Sequence, residues 1–104
     1  HLVNFVCYLQ YINNIDFLNN YINFKYTNTI LVTHTPISLT KKYKSKQKNH
    51  KTLIQNIHIL NNIKKKFKKI DFNLIFKSRN CDKYIACEKK QKNTFSLNLI
   101  FSKR

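Results

Sequence analysis

Residues 53–76, Leu53 to Phe76, read LIQNIHILNNIKKKFKKIDFNLIF, and a change of period inside this stretch decides the expected fold. Leu53, Ile57, Leu60, Ile63, Phe67 and Ile70 recur at steps of three and four, which gathers them on one face of a helix from about residue 50 to residue 70. Lys64, Lys65, Lys66, Lys68 and Lys69 crowd its last turns, where the helix dipole favours positive charge. From Ile70 the period falls to two. Ile70, Phe72, Leu74 and Phe76 share one face of a strand, and Asp71, Asn73, Ile75 and Lys77 share the other.

Downstream, Phe95, Leu97, Leu99 and Phe101 repeat the alternation, and Tyr84 to Cys87 (YIAC) reads as a short strand between the two, completing a three-stranded meander. The links at 78–83 and 88–94 lack Gly, so wide loops are expected rather than tight two-residue hairpin turns. The 50–70 helix is expected to cover the apolar face made by Phe72, Leu74, Leu97 and Leu99.

Upstream, Phe5, Tyr8, Leu9, Ile12, Ile15, Leu18 and Ile22 also step by three or four and predict a helix over 3–22. The many Asn and aromatic residues there are poor helix formers, which leaves a strand-rich reading open. Thr27 to Thr35 (TNTILVTHT) is β-branched and reads as a strand that Pro36 should end. The fold class expected is α+β: one small domain with one or two amphipathic helices packed on a short antiparallel sheet, plus an extended lysine-rich segment. Its parts are a neutral apolar and aromatic stretch over 1–40, a lysine-rich linker over 41–51, and a basic helix with two or three strands over 52–104.

Charge follows the same division. Residues 1–40 hold one Lys (Lys25) and one Asp (Asp16), whereas residues 41–104 hold 19 of the 20 basic residues and three of the four acids, so the whole net charge of +16 lies after residue 40. A surplus of this size attracts nucleic acid or anionic lipid at long range and weakens as salt screens it. Lys41 to Lys51 (KKYKSKQKNHK) has six Lys and no acid, and like-charge repulsion is expected to keep it extended and solvated.

Composition tempers that reading. Asn, Lys, Ile, Tyr and Phe make up 60 of the 104 residues, and their AT-rich codons allow genome bias to explain part of the basic surplus. The same bias favours 18 Lys over two Arg, Arg79 and Arg104. Lys is a point charge on a flexible stem, while Arg is the fork that reads phosphate and guanine bidentately, so weak sequence preference is expected.

The chain has no Gly, which disfavours Gly-rich phosphate cradles, dinucleotide-binding turns and nucleophile elbows. The carboxylates Asp16, Asp71, Asp82 and Glu88 are scattered, and three lie among lysines that hold them ionised, so no acid–base pair declares itself. Cys7, Cys81 and Cys87 are odd in number, which fits a reducing compartment, and an intracellular or organellar setting is expected. The spacing of Cys81 and Cys87 exceeds the usual zinc spacing, and adding His50 and His58 makes no familiar ligand order. No enzyme, cofactor, metal site or small-molecule substrate is expected.

Asn73 to Arg79 (NLIFKSR) and Asn98 to Arg104 (NLIFSKR) differ by one exchanged pair; a true repeat would set two equivalent basic strand ends in space. The residues expected to meet a polyanion are Lys41, Lys42, Tyr43, Lys44, Lys46, Lys48 and Lys51, with Lys64, Lys65, Lys66, Lys68 and Lys69. Tyr43 would offer a base-stacking face between ammonium groups, whereas Phe67 belongs to the buried helix face. The 41–51 segment is expected to dominate the contact, because an extended chain can follow a phosphate backbone.

Three readings stand at this level. The first is a structural RNA-binding component, similar in composition to small lysine-rich proteins of ribosomes and other ribonucleoproteins. The second is a protein of the anionic membrane surface, laying Ile57, Leu60 and Phe67 into the interface. The third is a fragment or a weakly selected frame of an AT-rich genome, suggested by the start at His1 and the missing Gly and Met. The apolar residues 2–12 are too short to span a bilayer.

Overall fold

The computed structural model describes residues 2–6, 8–15, 26–50 and 52–103. In chain order its elements are β1 (Leu2–Val6), a 3-10 turn (Leu9–Tyr11), β2 (Thr29–Ser38), β3 (Tyr43–Lys46), β4 (Ile54–Ile59), α1 (Leu60–Lys68), β5 (Phe72–Arg79), a second 3-10 turn (Asp82–Tyr84) and β6 (Thr94–Lys103). About half of the described residues are strand. The fold is therefore a six-stranded mixed sheet with one α-helix among the described residues, which corrects the expected α+β arrangement of helices on a short antiparallel sheet.

The sheet runs β3-β4-β2-β6-β5, and β1 also pairs with β2. The β-branched run of β2 makes it the central strand. Along one edge it is antiparallel to β6; along the other it takes β1 in parallel over Thr29–Thr33 and β4 in parallel at Ile37 and Ser38. Pro36 was expected to end this strand, yet β2 continues to Ser38. The proline sits at 34–36, where neither β1 nor β4 pairs with β2, so its missing N–H deprives that edge of no ladder bond.

The first half of the expected 50–70 helix is strand β4, and the helix begins only at Leu60. β4 lies between β3 and β2 and is covered on both faces, so Gln55, Asn56, Ile57 and His58 are buried in succession. From Leu60 the helical period holds. Leu60, Ile63 and Phe67 turn to the sheet and join Ile30, Val32, Phe72, Leu97, Leu99 and Phe101 in the main core. The Phe67 and Phe101 rings meet at 4.6 Å in an edge-to-face arrangement.

The expected 3–22 helix is replaced by β1 and the first 3-10 turn, although its apolar residues Phe5, Leu9 and Ile15 are buried as anticipated. Leu18 and Ile22 lie outside the described residues. The expected middle strand is displaced as well: β5 pairs directly with β6, and Ala86 to Glu88 pair instead with Lys46 to Lys48 at the end of β3. Beneath them Tyr43, Ile57, Ile85 and Cys87 form a second, smaller core. A bulge between Leu74 and Phe76 interrupts the alternation of β5, leaving Ile75 and Phe76 exposed. The NLIF echoes lie side by side and antiparallel in β5 and β6, so their basic ends face opposite ends of the sheet.

Within the lysine-rich segment, Tyr43–Lys46 is a paired strand rather than a free extension, while most of the described residues around it are exposed. Tyr43–Lys46 pairs with β4 in register Tyr43↔Ile57 to Lys46↔Ile54, and Tyr43 and Ser45 turn inward while Lys44 and Lys46 turn out. Without Gly, the chain makes its left-handed turns with Asn49, Asp71 and Asn93 at φ of 61°, 67° and 60°. Asp71 stops the chain just beyond α1 and turns it into β5.

Candidate polyanion-binding cleft

The parallel pairing of β2 with β4 brings the carboxyl ends of both strands to one place. After β2 the chain turns on Ser38, whose Oγ accepts from the backbone N–H groups of Thr40 and Lys41, and this sets Lys42 on the rim. After β4 it enters α1 directly. Between them lies the loop after the first 3-10 turn, so Lys42 and α1, 18 residues apart in sequence, face each other across a cleft of about 450 Å3.

Four ammonium side chains line this cleft: Lys42, Lys65, Lys66 and Lys69. Asn13, Asn14, Ile15, Asn62 and His58 complete its wall. The Lys42 ammonium donates to the Asn13 carbonyl at 3.1 Å, which ties it to the far wall. That wall is anchored from β4. The His58 Nε2–H donates to the Ile12 and Leu9 carbonyls at 2.7 and 2.9 Å, and Asn56 Nδ2 donates to the Gln10 carbonyl at 3.3 Å. Burial pushes the His58 imidazole below its ordinary value of 6.5, against the pull of the two carbonyls; the Lys42 charge adds to the lowering.

Each helical residue advances by about 100°, so residues 60, 63 and 67 facing the sheet leave two flanks. Asn62, Lys66 and Lys69 form the flank on the cleft; Asn61, Lys64 and Lys68 form the other, lining a second hollow of about 370 Å3 with Phe72, Asn73 and Leu74 of β5. Lys65 crowns the helix and lines both. The helix is a ridge of lysines between two grooves.

The other expected contacts are dispersed. Lys44 and Lys46 line a separate hollow with Ser45, Glu88 and Lys89. Lys41 and Lys48 are exposed, and Lys51 lies outside the described residues. Tyr43 is buried rather than offered for stacking: its hydroxyl meets Thr94 Oγ1 at 2.6 Å and accepts from the Gln91 N–H at 3.1 Å. Asn13, Asn14, Asn62 and His58 were missed by sequence reasoning, and nothing local marks them.

Cys87 and Asp82 have structural partners. Cys87 is buried, donates to Gln55 Oε1 at 2.9 Å and has its pKa raised above 9.0 by desolvation, opposed by Lys48 and Lys90. A raised thiol is a poor nucleophile. Asp82 is held by both Arg79 guanidinium contacts, at 2.9 and 3.0 Å, with Lys90 at 3.9 Å. Among the described residues no three His, Cys, Asp or Glu side chains come together as metal ligands, and no helix is long and apolar enough to cross a membrane. Ile57, Leu60 and Phe67, the residues a membrane-surface helix would insert, are all buried. Comparison of the chain with protein-family models, curated proteins and solved structures finds no match.

Proposed function

We infer that the protein is a small, non-catalytic RNA-binding component whose contacts are driven by charge and prefer no particular base sequence. The observation that carries this reading is the set of eleven lysines without one acid between residues 41 and 69, six of which border α1 and its two grooves. Ammonium groups neutralise phosphates and release counterions, and Lys in place of Arg keeps the contact tolerant of sequence. Asn13, Asn62 and Asn73 beside them supply neutral donors and acceptors for sugar hydroxyls and base edges. Lys42, Lys64, Lys65, Lys66, Lys68 and Lys69 carry the main contact; Lys41, Lys44, Lys46 and Lys48 add to the long-range field. The membrane-surface reading is weaker because the apolar helix face it requires packs into the core.

The test is the affinity of the protein for a single-stranded RNA, measured by fluorescence anisotropy from low to physiological salt. The expected result is a log–log slope of roughly −0.7 for each phosphate neutralised, summing to about −2 or steeper. Salt-independent affinity, absence of binding at low salt, or stronger binding to anionic vesicles of equal charge would overturn the reading.

A further inference from the structure

We propose that the cleft between Lys42 and α1 is a site for a terminal polyphosphate, the triphosphate of an RNA 5′ end or of a free nucleotide, rather than a stretch of internal backbone. This rests on the polyanion reading above and specifies its ligand. The reason is charge density. Four ammonium groups converge on a hollow of about 450 Å3, bounded by α1 on one side and by the Asn13 to Ile15 wall on the other. Internal backbone phosphates carry one charge each and sit a nucleotide apart, so the few that enter such a hollow bring little negative charge into it. A terminal triphosphate concentrates roughly four negative charges on three adjacent phosphorus centres, because its last phosphate ionises twice.

The framing of the hollow favours a fixed ligand over a sliding one. Lys42 is tethered by its bond to the Asn13 carbonyl, and the wall that supplies that carbonyl is bonded to the buried His58 of β4. Lys65, Lys66 and Lys69 project from a helix whose Leu60, Ile63 and Phe67 are locked in the core. Both walls are thus set by buried contacts before any ligand arrives, which lowers the ordering cost of binding. The second groove, by contrast, is walled by Phe72, Leu74 and Asn73 and has fewer lysines.

The experiment compares one RNA sequence bearing a 5′-triphosphate, a 5′-monophosphate or a 5′-hydroxyl, in magnesium-free buffer at about 0.1 M salt, where long-range attraction is largely screened. The expected order is triphosphate tightest, by about tenfold or more over hydroxyl, since each added charge close to exposed lysines contributes modestly. The Lys42→Gln/Lys65→Gln/Lys69→Gln variant should lose that preference. Lys44→Gln/Lys46→Gln/Lys89→Gln, which removes the same charge from the separate hollow, should retain it, with unchanged melting temperature checking both folds. Equal, salt-dependent affinity for all three RNAs would overturn the proposal and leave the RNA reading standing; no affinity for any would remove both. A preference that survives the cleft variant would overturn the location. ATP as competitor separates the sources: displacement of triphosphate RNA at comparable concentration supports a site open to free nucleotides, and failure to displace it supports the RNA end.

Discussion

The His58 imidazole and the Ile12 carbonyl stand 2.7 Å apart, joined by a hydrogen bond between the inner strand β4 and a loop 46 residues away. Because Nε2 also meets the Leu9 carbonyl, its proton is shared between two acceptors, and the neutral ring with hydrogen on Nε2 satisfies both. Together with the Asn56 bond to the Gln10 carbonyl, this side chain anchors the far wall of the cleft.

Acidification should therefore weaken the fold through His58. Its folded pKa lies below the ordinary 6.5, so between those two values the unfolded chain binds a proton that the folded chain refuses. The contribution is complete above pH 6.5 and is lost as pH falls from there through the folded value. Thermal melts at pH 7.5 and 5.5 should show a drop in midpoint that is smaller in His58→Gln. That variant should also be less stable at pH 7.5 by about 1–3 kcal/mol, the cost of weakening a buried bond network. An identical pH response in both proteins would show that His58 is not the titrating group.

Phe67→Ala should cost about 3–5 kcal/mol in denaturant unfolding, because the ring is buried against Phe101 and the site is walled by strands that cannot collapse into the cavity. That is a large part of the stability of a small domain. Phe67→Leu should cost less than half as much. Equal stability of Phe67→Ala and the parent would contradict the seating of α1 on the sheet.

Tyr43→Phe separates structure from binding. It removes the hydroxyl that serves Thr94 and Gln91 while keeping the ring, and should lower stability by about 1–2 kcal/mol. RNA affinity should stay unchanged, because the ring is buried. A loss of affinity at unaltered stability would instead restore Tyr43 as a stacking platform.

Much of the basic face was legible in the order of residues. The neutral first forty residues, the acid-free lysine run, the inward set Leu60, Ile63 and Phe67, and the alternation of Leu97, Leu99 and Phe101 are all local properties of the chain. Each follows from side-chain charge or from a backbone period that needs no distant partner to be read.

What lay beyond such reading was the state of residues 53–59 and the make-up of the cleft. Leu53, Ile57 and Leu60 continue a helical period, but Gln55, Asn56 and His58 are buried by Cys87, Gln10, Leu9 and Ile12, and no period reveals that polar residues have such partners. The three isoleucines Ile54, Ile57 and Ile59 were the one local sign of strand. An inner strand with both faces covered has no polar side to alternate, so its pattern imitates the start of the helix that follows it. Lys42 meets Lys65, Lys66 and Lys69 only because β2 and β4 run parallel and end together, and that pairing is a long-range contact decided by the packed sheet.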